Sequence, residues 1–198
     1  MSDLVVLLCS HRKEGKNTQI LEMLAQVKHH VEFVHFAELR FKSCIQCAKC
    51  TNGLCKEYVH DGFNALLEKL KHSKRFVIIS PLYSPIPSKL SIFLERLASV
   101  TYFSEIHTGG PPLRGKKCAV IGYDSRGVNR EVGELIRKIL KPNIIGYHKP
   151  EDHRHGVFID DSADRQSHDG DILGYIASVF ERIYAEISSM NNVMNNGG

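Results

Sequence analysis

No run of about 18 apolar residues, the length a helix needs to cross a bilayer, occurs in the 198-residue chain. Met1-Ser2-Asp3-Leu4 passes straight into an apolar run, without the basic start and small-residue cleavage site of a secretory signal. A basic stripe interleaved with aromatics is also missing. The formal charge of +4 is a small difference between 26 basic and 22 acidic residues spread along the chain, so nucleic acid is not an expected partner. There are no internal repeats. These absences leave a soluble, cytoplasmic protein with no membrane partner as the expectation. Its length and 42% apolar content suit one domain over residues 1–190, with residues 191–198 as a disordered tail.

Six cysteines are present, and four of them, Cys44, Cys47, Cys50 and Cys55, crowd into twelve residues. In a reducing cytosol such crowding points to metal or redox chemistry rather than a disulfide framework. Cys9 and Cys118 stand alone on apolar strands, where they serve as small apolar residues. Elsewhere the chain alternates between two periodicities. Leu4-Val5-Val6-Leu7-Leu8-Cys9, residues 31–36, 76–79, 117–121 and 143–147 read as five strands. Helical spacing marks residues 17–24, 63–70, 89–100, 128–140 and 171–188. The third strand is expected to end at Ser80-Pro81, because proline cannot continue a central ladder. Strands alternating with helices predict a three-layer α/β/α sandwich around a five-stranded parallel sheet. Ligands then bind beyond the carboxyl ends of the strands, so the loops after strands one, three and four matter most.

Ser10-His11-Arg12-Lys13-Glu14-Gly15-Lys16-Asn17-Thr18 leaves a buried strand and opens a helix, which suits a phosphate site: free N–H groups and the positive end of the helix dipole face outward together. Ser10, Asn17 and Thr18 add side-chain donors, and Arg12 can make a charge-assisted bond. An ordinary polar turn capped by Asn17 or Thr18 is the other reading. The loop has neither the G-x-x-x-x-G-K-[ST] nor the G-x-G-x-x-G spacing, which disfavours ATP and a Rossmann-bound NAD.

The S-x-R-x-x-G-x-N-T run resembles the phosphate loop of the NADPH-dependent FMN reductase-like flavoproteins of the flavodoxin-like superfamily. Ser80-Pro81-Leu82-Tyr83 resembles their S-P-x-Y segment, and Ser91-Ile92-Phe93-Leu94-Glu95-Arg96 the helix that follows. The resemblance covers roughly residues 4–140. It implies an FMN-binding oxidoreductase with NAD(P)H as donor and a homodimer or homotetramer as the assembly. Ser10, Arg12, Asn17, Thr18 and Gln19 would hold the phosphate. Pro81, Leu82, Tyr83 and Ser84 would line the ring, for which they offer a flat apolar surface, although Tyr83 also reads as a plain surface aromatic. Asp124, Ser125, Arg126 and Gly127 would reach the polar edge of the flavin, or simply lead into the next helix.

Cys44, Cys47, Cys50 and Cys55 have the spacing C-x2-C-x2-C-x4-C within an insertion at about residues 41–60, and suit one [4Fe–4S] cluster. The motif is similar to that of the iron-sulfur flavoproteins of the same group; zinc or free thiols are the alternatives. His60-Asp61-Gly62 departs from the paired aspartates often found there. His148, His153 and His155 sit in a polar setting and, with Asp160, Asp161 and Asp164, are read as solvated surface. No side-chain acid or base is expected, since a flavin accepts hydride itself. The competing functions are a non-enzymatic electron carrier between protein partners and a zinc-stabilised binding module.

Overall fold

The computed structural model describes residues 4–26, 31–83, 86–108, 110–125, 129–145 and 172–195. In chain order the elements are β1 (Leu4–Leu8), α1 (Lys16–Ala25), β2 (Val31–His35), β3 (Cys50–Thr51), β4 (Leu54–Cys55), α2 (Phe63–His72), β5 (Arg75–Pro81), α3 (Ser88–Thr108), β6 (Lys117–Tyr123), α4 (Arg130–Leu140), α5 (Pro142–Ile145) and α6 (Ile172–Asn195). Four strands form a parallel sheet in the order β2-β1-β5-β6. Every residue of β1 and β5 is buried, as expected for strands covered on both faces.

Strand alternation sorts the core into two halves. Val5, Leu7, Phe76, Ile78, Cys118 and Val120 face one side, where Phe63, Leu67 and Leu70 of α2, Phe93 and Leu97 of α3, and Val132 and Ile136 of α4 pack on them. Leu4, Val6, Leu8, Val77, Ile79 and Ile121 face the other, beneath Ile20 and Leu24 of α1. Tyr175, Ile176, Val179, Phe180 and Ile183 of α6, recurring every three or four residues, complete that layer. Helix, sheet and helix are thus stacked, and the chain leaves β1 for β2 on one side before crossing to β5 on the other. The strand order reverses between β1 and β5, which is the ligand-binding position in open parallel sheets.

Three expectations need correction. Strand β5 does not stop before Ser80-Pro81 but includes both, with Pro81 opposite Tyr123. The reason is directional. The Ile79 carbonyl accepts from Cys9 N–H on the β1 side (2.9 Å), so the imide nitrogen of Pro81, two residues on, faces that side too, where β1 has already ended. On the β6 side pairing continues, with Leu82 N–H donating to the Tyr123 carbonyl at 2.7 Å. A fifth strand over residues 143–147 is not formed as expected, since Pro142–Ile145 is a short helix. Proline lacks an N–H and has its φ set for a first helical turn, and Ile144, which suggested a strand, is fully buried beneath that turn. Gly146 and Tyr147 lie outside the described residues. Finally, residues 191–195, expected in a disordered tail, continue α6; no glycine or proline interrupts residues 175–195.

α4 lies close against β6 at Gly122. A Cβ on Gly122 would lie 2.4 Å from the Asn129 carbonyl oxygen, 2.6 Å from Gly133 N and 2.9 Å from Val132 Cβ. Gly122→Ala is therefore expected to destabilise the protein by about 1–3 kcal/mol, the usual cost of overpacking. Urea unfolding should show a lower midpoint with an unchanged slope.

Candidate functional site: a cleft at the switch point and a four-cysteine crevice

Beyond the carboxyl ends of β1, β5 and β6 lies an open cleft of about 420 Å³, within the range of small-molecule sites. One wall is the turn between β1 and α1. Ser10 is buried, and its Oγ accepts from Arg12 N–H at 3.0 Å, so its own proton stays available to an acceptor in the cleft. Gly15 takes φ +95 to start α1, a conformation that favours glycine, although no atom lies within 4 Å of where its Cβ would be. No side chain caps α1. Thr18 N–H donates to the Gly15 carbonyl at 3.0 Å, and the positive end of the helix dipole adds to the Arg12 charge at the mouth of the cleft.

The second wall is the end of β5 with Leu82 and Tyr83, each about two-fifths exposed, which present a flat apolar surface. Tyr83 meets the His11 ring edge-on at 6.2 Å. Tyr123, Asp124 and Ser125 make the third wall. Burial, and secondarily Tyr83 and Cys9, hold the Tyr123 hydroxyl well above the usual phenol range, so it stays protonated.

Of the residues singled out from sequence, the structure brings Ser10, Arg12, Pro81, Leu82, Tyr83, Asp124 and Ser125 into one cleft. Thr18 and Gln19 do not line it; the Thr18 hydroxyl donates to the Lys13 carbonyl at 3.2 Å and Gln19 is exposed. Asn17 is the second residue of α1, but its side chain, like Ser84, Arg126 and Gly127, lies outside what is described, as do His148, His153, His155, Asp160, Asp161 and Asp164. Sequence reasoning missed Glu14, Gly15, Lys16 and Tyr123 as lining residues. Tyr123 carried a signal: it is the last residue of an apolar run ending at the sheet's carboxyl edge.

The cysteine segment packs against α3. Cys50 and Cys55 face each other across the β3–β4 hairpin, whose Asn52-Gly53 turn has φ of 52° and 72°, the left-handed pair typical of a two-residue hairpin. The Asn64 side chain brackets Cys55, accepting from its N–H at 2.9 Å and donating to its carbonyl at 2.8 Å. Gln46 and Ala48 also have positive φ; with Asn52 they are the non-glycine residues so strained among the described ones. Such strain tends to collect at functional loops.

All four cysteines line a narrow crevice together with Arg96. Burial, with the neighbouring thiols of Cys55, Cys44 and Cys47 adding to it, pushes Cys50 up to about 12, and Arg96 opposes the shift. All six cysteines are free thiols. Cys9 and Cys118 are fully buried, and desolvation raises both. Among the described residues no group of three or more His, Cys, Asp or Glu is gathered as a single metal ion would require. The described helices include none long and apolar enough to cross a membrane.

Arg96 is itself 1% exposed and ties this lobe to the core. It pairs with Asp61, donates to the Lys42 carbonyl at 3.3 Å, and lies 4.2 Å from the Phe63 ring centre. The Asp61 carboxylate also accepts from Lys42 N–H (2.9 Å) and Phe63 N–H (3.3 Å).

The chain matches the NADPH-dependent FMN reductase family over residues 2–144. No curated protein matches its sequence. Among solved structures it is similar to RosB with bound 8-demethyl-8-formylriboflavin-5'-phosphate, at 12% identity over 100% of this chain and 88% of that one, with a TM-score of 0.55. FerB, a flavoenzyme NAD(P)H:(acceptor) oxidoreductase from Paracoccus denitrificans, aligns at 17% identity over 94% of each chain, with a TM-score of 0.46. A flavone reductase aligns at 16% identity and a TM-score of 0.40 over 62% of this chain, which spans 43% of that protein's length.

Removing Asp61 leaves a buried, uncompensated guanidinium. Asp61→Ala should cost about 3–5 kcal/mol in denaturant unfolding, and the double substitution with Arg96→Met should cost less than Asp61→Ala alone.

Proposed function

Because the chain belongs to the NADPH-dependent FMN reductase family, a family of oxidoreductases, we propose that it holds FMN in the switch-point cleft and carries electrons from NAD(P)H to a quinone, a cluster or another acceptor. The observation that carries this reading is the junction of β1 and α1. An uncapped helix start, a backbone turned by Gly15, and Arg12 stand beside the flat apolar surface of Leu82 and Tyr83. The first group suits a phosphate and the second an aromatic ring system, and one cleft contains both. RosB, whose fold this chain shares, binds a riboflavin 5'-phosphate derivative.

FMN supplies hydride and electron chemistry when bound. The chain supplies position. Arg12 and the first-turn N–H groups of α1 would anchor the phosphate; Leu82 and Tyr83 would exclude water from one face of the ring; Asp124 and Ser125 would meet its polar edge. Anaerobic mixing of the FMN-loaded protein with NADH or NADPH separates an enzyme from an electron carrier, because a carrier would not bleach at a useful rate. Six free thiols suit a reducing, cytoplasmic setting. The exposed Tyr102 and Ile106 on α3 offer apolar surface for a homodimer or homotetramer.

A second reading concerns Cys44, Cys47, Cys50 and Cys55, which by donor chemistry fit one [4Fe–4S] cluster. Its support is that all four cysteines line one crevice, with the left-handed Gln46 and Ala48 between the first three. Turns of this kind make concave backbone sites for anionic groups, iron-sulfur centres among them.

FMN is expected to bind distinctly more tightly than riboflavin by fluorescence quenching, and Arg12→Ala should weaken FMN by about 1.5–3 kcal/mol while sparing riboflavin. Equal affinities would sink the phosphate assignment. Anaerobic reconstitution should yield about four irons and four sulfides per chain, lost in Cys47→Ser. Zinc uptake, or normal FMN binding without any iron, would instead assign the thiols to a zinc site or to redox chemistry.

A further inference from the structure

Lys16 opens α1, and its side chain reaches across to the loop after β6. Its Nζ donates to the Asp124 carbonyl at 3.0 Å and meets the Ser125 carbonyl at 3.5 Å, 6.0 Å from the centre of the Tyr123 ring. Two stretches of chain 108 residues apart are joined at this point. The acceptors are held from behind. Asn129 N–H donates to the Gly122 carbonyl at 2.7 Å, the Asn129 amide donates to the Asp124 carboxylate at 3.0 Å, and its oxygen caps α4 through Val132 N–H at 3.1 Å. The Asp124 carboxylate is thus engaged with Asn129, while the Lys16 ammonium addresses backbone carbonyls.

The other charged groups of the cleft wall are Arg12 and Glu14, both exposed on the turn before α1. Lys16 is half-buried and is anchored on the β6 side, where the flavin reading places the polar edge of the ring. Two-electron reduction of a flavin with uptake of one proton leaves one added negative charge on that ring. A cation held nearby, in a cleft that excludes part of the water, favours the charged form. Carbonyl dipoles turned toward the ammonium fix its place without cancelling its charge.

We propose that Lys16 is a positioning residue of the flavin cleft that closes the loop after β6 against the phosphate loop and raises the reduction potential of bound FMN. This deepens the flavin reading and rests on it. The test compares wild type, Lys16→Met, which keeps the length and removes the charge, and Lys16→Arg. Lys16→Gln replaces the methionine variant if that one does not fold. FMN and riboflavin affinities, thermal midpoint and the two-electron potential of bound FMN are measured for each.

At a fixed ambient potential the ratio of reduced to oxidised FMN is expected to fall about tenfold in Lys16→Met, about 30 mV for a two-electron couple. Lys16→Arg should restore most of it, and the neutral variant should lose FMN and riboflavin affinity by similar factors. An unchanged potential overturns the proposal in two recognisable ways: loss of FMN affinity alone makes Lys16 a phosphate ligand, and a lower thermal midpoint alone makes it a structural tie. Wild-type protein that binds neither flavin overturns the flavin reading, and this inference with it.

Discussion

The cleft depends on a mismatch in strand length. The ladder between β1 and β5 stops at Leu8 and Ile79, whereas β5 and β6 stay paired to Pro81 and Tyr123. Two residues of β5 therefore extend past the end of β1 with no strand on that side. Proline suits that place because its missing N–H faces the side with no partner. The chain leaving β1 turns away over Ser10, and the start of α1, without a side-chain cap, lines the cleft through Gly15 and Lys16. A sheet with strands of equal length would leave no such notch.

The second organising interaction is the Arg96–Asp61 pair. Placing a guanidinium where it is 1% exposed is costly unless its charge and donors are answered. Asp61 answers the charge, the Lys42 carbonyl takes a further bond, and Phe63 lies against the face. Those partners come from both ends of the cysteine insertion and from α2, so one side chain of α3 holds the insertion closed. The crevice holding the four thiols exists because its rim is pinned in this way, and the same charge opposes the upward shift of Cys50.

Much of this was legible in the sequence, and the misses have physical reasons. β1, β5 and β6 announce themselves because burial on both faces demands continuous apolar runs, and β2, half-exposed at the sheet edge, still shows through Val31, Phe33 and Val34. Residues 143–147 carry similar apolar content, but Pro142 starts a helical turn that buries Ile144 instead. The rule that proline ends a central strand assumes neighbours on both sides, a condition that fails at Pro81. Ser10, Arg12, Leu82, Tyr83, Asp124 and Ser125 could be placed by reading loops at strand ends. Lys16 could not, because its role lies in a contact 108 residues away that only the folded chain creates. The Arg96–Asp61 pair was hidden for the same reason; Asp61 appeared only as a departure from a family pattern.

The notch at the end of β1 is the proposed FMN site. A crystal structure of the protein grown with FMN tests it most directly. The phosphate is expected within hydrogen-bond distance of Arg12 and of the N–H groups at the start of α1, with the ring against Leu82 and Tyr83. FMN bound elsewhere on the protein, or a cleft that stays empty at saturating FMN, would contradict it.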